Sequence, residues 1–252
     1  PSIVAASGHW SFGSGKAPRW EGVSQETGLR HINAAGGVSG EGRTMTEQTH
    51  DEAAKNARHN ARMKAIQAAR AKMMAEKNIE KGLLIVHTGA GKGKTTAALG
   101  MAVRAIGHGH RVSIIQFIKG AMTTGEKVVF DAFPEQVEFR PMGEGFTWDT
   151  QDRARDIAVA RQAWEVIKSR ILDPDDWDMV IADELNIILR YDYLPLAEVL
   201  EVVAARPEGK HVVITGRNAP DALIEAADLV TEMAQVKHPF RDGVKAQAGI
   251  EF

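Results

Sequence analysis

The sequence contains no cysteine, which excludes a disulfide framework, thiolate zinc sites and a cysteine nucleophile. No apolar run approaches the ~20 residues that a membrane helix needs, and no signal-peptide core appears. There is no G-x-S-x-G elbow, so no Ser/His/Asp triad can be proposed. Aromatic residues make up only 6%, and no extended basic patch interleaves with them, which weighs against a nucleic-acid motor. The formal net charge of -2 gives no global attraction to nucleic acid. What is present is ordinary globular composition: 252 residues, 44% hydrophobic and 25% charged. That length suits one α/β domain or two small ones, and a cytoplasmic enzyme or binding protein is the expectation.

The glycines are unevenly spread, with 9 of the 24 in the first 44 residues. They interrupt every helix or strand, and the aliphatic residues between them show no period. Residues 1–44 therefore read as a disordered, upstream-translated or expression-derived extension, with Met45 resembling an initiator; a flexible arm is the rival reading. From Thr49 the pattern changes. Thr49 with Glu52 forms a capping box, followed by an alanine-rich helical run carrying a thin apolar stripe of Met63, Ile66 and Met73. Between Thr46 and Lys81, eight Lys/Arg stand against five Asp/Glu, a net of +3. Residues 1–44 carry +1, which leaves -6 for 82–252. The expected segments are 1–44, a basic helix over 45–81 and a catalytic domain over 82–252. Such a basic arm either closes over a polyanionic ligand or is simply a solvated helix.

Beyond Gly82 apolar strands alternate with helices. Strands are expected at 83–87, 112–117, 137–140, 179–182, 212–215 and 229–234. Helices are expected at 94–106, 150–172, 195–204 and 221–227. This alternation predicts one α/β domain, a mostly parallel sheet covered by helices on both faces. His108-Gly-His110 reads as a turn and His211 as structural. The aspartates 173, 175, 176 and 178 around Pro174 read as a solvated turn.

The sharpest local signal is Thr88-Gly-Ala-Gly-Lys-Gly-Lys-Thr-Thr96, which follows an apolar strand and opens a helix. That is the context of a phosphate-binding P-loop. Glycines let backbone N–H groups converge on phosphate oxygens, and the helix N-terminus adds its positive dipole end. The nucleotide contacts are expected from Gly89, Ala90, Gly91, Lys92, Gly93, Lys94, Thr95 and Thr96. Lys94 supplies a point charge and the Thr95 hydroxyl a ligand for Mg²⁺. The usual spacing is G-x-x-x-x-G-K-[ST]; here Thr88 holds the first position, so the first glycine comes one residue late. A P-loop needs an acid at the end of a neighbouring strand to hold the metal. Met179–Ala182 followed by Asp183 and Glu184 supplies it, at the carboxyl end of the sheet where α/β ligands bind.

Further segments carry a family resemblance. The P-loop through Ala98, Arg104-Ala-Ile-Gly-His-Gly109, Gln116-Phe-Ile-Lys-Gly120, Gly145-Phe-Thr-Trp-Asp-Thr-Gln151, Asp183-Glu-Leu185, Tyr191–Leu196, Ile214-Thr-Gly-Arg217 and Val244–Ile250 together resemble the ATP:corrinoid adenosyltransferases of cobalamin biosynthesis. The likeness runs in order from about Arg58 to Phe252. It implies a RecA-like P-loop NTPase fold with an added N-terminal helix. It also implies transfer of the 5′-deoxyadenosyl group of ATP to the Co(I) centre of a corrinoid, with release of triphosphate and with Mg²⁺ or Mn²⁺ assisting. Reduced cobalt is then itself the nucleophile, so no activated side chain is required. The nucleotide would lie along its loop in the reverse sense to ordinary P-loop enzymes. Lys94 would hold the leaving triphosphate, and Arg104 would join the nucleotide contacts. Phe146 and Trp148 would help expel the lower axial ligand of the corrinoid. A homodimer, in which the basic helix covers a partner's site, and an electron-donating flavoprotein are also implied, with neither nucleic acid nor membrane as partner. Ala90 departs from the Asn of many relatives, which removes one side-chain contact. The rival reading is a RecA-like ATPase, with Asp183-Glu184 as its Walker B, that yields ADP and phosphate. A third is a nucleotide-dependent corrinoid carrier.

Overall fold

A computed structural model describes residues 45–118, 124–143 and 152–251. The chain falls into two compact units, Pro1–Lys72 and Met73–Phe252. Helix α1 (Met45–Ala75) is exposed from Asp51 onward, including Ile66 at 47%. It begins before the expected cap, which puts Thr49 inside the helix. No Gly or Pro lies between Met45 and Thr49, and the residues that stand there cost only about tenths of a kcal/mol each in a helix. Within α1, Asp51 and Lys55 pair across one turn at 2.8 Å. Among the described residues no helix is long and apolar enough to cross a membrane.

The second unit is built on six parallel strands in the order β3-β2-β4-β5-β1-β6. They are β1 (Leu84–Thr88), β2 (Val112–Gln116), β3 (Val137–Pro141), β4 (Met179–Asp183), β5 (His211–Thr215) and β6 (Leu229–Glu232). Among the described residues six α-helices accompany them: α2 (Lys94–Gly107), α3 (Gly125–Phe130), α4 (Arg153–Leu172), α5 (Leu185–Arg190), α6 (Leu196–Ala204) and α7 (Asp221–Ala226). The P-loop strand β1 and the acid-bearing strand β4 are not neighbours, because β5 lies between them. α3 and α5, six residues each, were not expected, whereas the equally short α7 was.

Successive strand residues feed two cores, which is why the strands read as unbroken apolar runs. Leu84, Val86, Val180, Val212 and Ile214 face Trp164, Ile167 and Ile171 of α4 and Val199, Val202 and Val203 of α6. Ile85, Ile114, Ile181 and Val213 face Ala98, Leu99, Ala102 and Ala105 of α2. Each fully buried aliphatic side chain contributes about 1.5–3 kcal/mol of transfer free energy. Trp164 is wholly buried, and its indole N–H donates to Glu198 Oε1 at 2.8 Å.

The turn after α4 is open to solvent, with Pro174, Asp175 and Asp178 exposed as its aspartates suggest, but it also holds a buried cation. Lys210, 4% exposed, sends its ammonium into the turn and donates to the carbonyl oxygens of Arg170 (2.9 Å), Asp173 and Asp176 (2.8 Å). Those carbonyls belong to the end of α4 and the chain beyond it, so one buried cation closes a helix C-terminus. The Asp178 carboxylate accepts the Arg111 N–H at 2.7 Å. His211 Nδ1 accepts the Leu83 N–H at 3.1 Å, a structural bond.

Candidate functional site

All six strands are parallel, so their carboxyl ends form one rim, and the loops leaving that rim build the site. The loop after β1 turns at Gly89 (φ 96°) and again at Gly93 (φ 103°), which delivers the chain into α2. At Gly91 the constraint is space. A Cβ there would lie 2.7 Å from the carbonyl oxygens of both Met233 and Ala234. The Gly91 N–H donates to Met233 O at 2.6 Å, so the chain leaving β6 clamps the loop from outside.

Lys94 opens α2 and is 6% exposed. Its ammonium donates to the carbonyls of Gly89 (2.9 Å) and Gly91 (2.5 Å). Burial lowers its pKa, and the nearby charges of Arg217 and Lys92 push the same way while Glu184 and Asp183 oppose them. Lys92 is exposed and ion-paired with Glu251 near the end of the chain.

Asp183 ends β4 with no solvent exposure. Its Oδ1 accepts the hydroxyl protons of Thr95 (2.8 Å) and Thr215 (2.7 Å), and its Oδ2 accepts the amide of Gln116 (2.8 Å). Glu184 follows in a left-handed conformation (φ 66°), and its backbone N–H donates to Thr215 Oγ1 at 2.9 Å. That kink turns the chain sharply from β4 into α5. Gly216 (φ 128°) makes room, since a Cβ there would lie 2.9 Å from Asn186 Cβ. The Asn186 amide donates to Gly216 O at 3.0 Å, which ties α5 to the end of β5.

A cavity of about 620 Å³ opens over this rim, lined by residues 91–96 of the loop together with Glu184, Arg217, His238 and Glu251. Of the residues expected from sequence, Gly91, Lys92, Gly93, Lys94, Thr95, Thr96 and Glu184 line it, and Asp183 lies hydrogen-bonded to Thr95. Gly89 and Ala90 belong to the loop but not to the cavity wall. Arg104 stands exposed in the last turn of α2. Ten residues of helix put it roughly 15 Å along the axis from Lys94. Phe146 and Trp148 lie outside the described residues. Thr95, Asp183 and Glu184 offer only oxygen donors, a set that fits a hard divalent cation such as Mg²⁺ or Mn²⁺.

The model of the ATP:corrinoid adenosyltransferase BtuR/CobO/CobP family matches residues 80–252. The chain belongs to that family. A corrinoid adenosyltransferase of Pseudomonas aeruginosa is 52% identical over 198 residues, covering 79% of this chain and 97% of its own. One from Sinorhizobium is 55% identical over 199 residues, covering 78% and 92%. One from Escherichia coli is 49% identical over 179 residues, covering 71% and 90%. The adenosyltransferase family match thus takes in the whole rim: the loop, Asp183-Glu184 and the terminal segment beside Lys92. Sequence reasoning passed over Gln116, Thr215, Arg217 and Glu251 as site residues. The first two carried a readable signal, each being a polar residue that closes an apolar strand, as Asp183 does.

Proposed function

We propose that this adenosyltransferase moves the 5′-deoxyadenosyl group of ATP onto the Co(I) centre of a corrinoid. The cobalt electron pair forms a Co–C bond to C5′. The C5′–O bond breaks, and its electron pair leaves on inorganic triphosphate. The observation that carries the reading is the Thr95–Asp183 hydrogen bond at the foot of a loop-lined cavity, in a chain of this family. The chemistry asks the protein to hold a highly charged leaving group, and this cavity supplies the means. The N–H groups of residues 92–95 and the α2 N-terminus suit the phosphate oxygens. Lys94 would exchange its two carbonyl partners for the triphosphate, and Arg217 would face it from the end of β5. A divalent cation held by Thr95, Asp183 and Glu184 would neutralise part of the charge developing on the leaving group.

Phe146 and Trp148 are proposed for the corrinoid side, where a dry aromatic surface would shield Co(I) from water. Arg104, at the far end of α2, is left out of the triphosphate cradle. A cytoplasmic setting, a homodimer in which α1 reaches a partner's site, and a flavoprotein reductant complete the proposal. The family match disfavours the ATPase reading, and the products separate the two. Anaerobic incubation with ATP, Mg²⁺ and chemically reduced corrinoid should yield the adenosylcorrinoid spectrum and triphosphate. ADP and orthophosphate without a spectral change would establish the ATPase instead.

A further inference from the structure

Asp183 is a fully buried carboxylate held by three neutral donors, and its two oxygens are treated differently. Oδ1 receives the hydroxyls of Thr95 and Thr215, whereas among the described residues Oδ2 receives only the Gln116 amide at 2.8 Å. Gln116 ends β2, is 1% exposed, and is the register partner of Asp183 across the β2–β4 ladder. Partners in parallel strands project to the same face, so the amide reaches the carboxylate without bending either strand.

We propose that Gln116 is a positioning residue that pins the rotation of the Asp183 carboxylate and thereby sets the affinity of the Thr95–Asp183 edge for a divalent cation. The torsion of an aspartate carboxylate is broad and roughly two-fold, so without a partner on Oδ2 the group can swing away from Thr95. An amide suits the task because it fixes orientation without adding charge. A Lys or Arg at the same place would neutralise the carboxylate that a cation needs. Thr215 works from the other oxygen and anchors the Glu184 backbone as well, whereas Gln116 makes a single bond to the carboxylate and reads as the cleaner lever.

The inference rests on the adenosyltransferase reading, in which ATP arrives with a divalent cation. Its test is direct Mn²⁺ binding to the full chain with saturating ATP, followed by the paramagnetic resonance of free Mn²⁺. Gln116→Met keeps the length and removes the donor. It should raise the Mn²⁺ dissociation constant about tenfold or more, the usual consequence of removing a partner of a metal ligand. ATP affinity measured by equilibrium dialysis in chelator should not change. Gln116→Asn keeps an amide at the site but draws it back by one methylene. It should shift Mn²⁺ binding in the same direction, and it carries the test if the methionine variant does not fold. A wild-type Mn²⁺ constant in the folded variants, or equal weakening of metal and metal-free ATP binding, would overturn the proposal. A wild-type protein that binds no Mn²⁺ with ATP would instead overturn the functional reading beneath it.

Discussion

Two buried lysines sit at opposite ends of the sheet and put similar chemistry to different uses. Lys94 lies at the carboxyl rim and bonds two loop carbonyls. Lys210 immediately precedes β5, at the amino end, and bonds three carbonyls of the turn after α4. Burial lowers the pKa of both. Their surroundings differ in sign. Around Lys210 the charges are the aspartates 173, 175, 176 and 178, all of which favour the ammonium. Around Lys94, Arg217 and Lys92 set themselves against Asp183 and Glu184, and a cavity opens alongside. A buried cation whose acceptors and counter-charges are complete works as a fastener. One with fewer acceptors, beside other cations and a cavity, is ready to receive an anion.

Substitution of each lysine should separate these roles. Lys94→Met should lower the rate of adenosylcorrinoid formation by about 10²–10³-fold, the scale of losing one transition-state donor. Its melting temperature should stay close to wild type. Loss of stability with retained rate would reverse the assignment. Lys210→Met should do the opposite, costing about 2–3 kcal/mol of stability through its lost charge-assisted bonds while the folded protein keeps its kcat. Denaturant melts of the variant check this.

A smaller effect belongs to the same amino end. Arg170, whose carbonyl Lys210 binds, also grips Glu138 through its guanidinium at 2.9 and 3.1 Å, with Ser113 donating at 2.9 Å. Burial pushes the Glu138 pKa up, but the bonds from Arg170 and Ser113 and the charges of Arg170 and Arg140 hold it below the ordinary value of 4.5. A carboxylate with a depressed folded pKa contributes stability that is complete above its unfolded pKa and is lost as pH falls through the folded one. Glu138→Gln should therefore be less stable than wild type at neutral pH, by about 1 kcal/mol. The gap should narrow as pH falls below 4.5, and melts at both ends of that range test it. A gap independent of pH would rule the charge out as the cause.

The smallest change is expected at the loop. Glu251→Gln releases Lys92 from an ion pair in which the lysine is 52% exposed. ATP binding should tighten by no more than about fivefold, because exposed pairs are worth under about 1 kcal/mol. Weaker ATP binding would show that the tail supports the loop and does not compete with its ligand.

The strands and the longer helices of the second unit were legible because burial on both faces leaves unbroken apolar runs, and α2, α4 and α6 show their faces by period. α4 is an example: of Ile157, Ala160, Ala163, Trp164, Ile167 and Ile171, which sequence spacing aligns on one face, all but the half-buried Ile157 are buried. α3 and α5 escaped where the equally short α7 did not: six residues span less than two turns, so period alone does not reveal such a helix. Lys210 escaped for another reason. Nothing local distinguishes a lysine before a strand, and its partners lie 34 to 40 positions away. Arg217 was legible only as part of a family-like segment, and the parallel register is what carries the end of β5 to the P-loop cavity.

The residues alone determined the alternation of strand and helix, the phosphate loop with its glycines, and the acids that close β4. These follow from patterns written within a few residues of one another. Only the tertiary structure decided which polar strand ends meet. With β5 inserted between β1 and β4 and with β2 on the far side of β4, Thr95, Gln116 and Thr215 converge on Asp183 from three directions. Strand order and register make that convergence. They are set by how two faces of one sheet are buried at once, which no local stretch of sequence records.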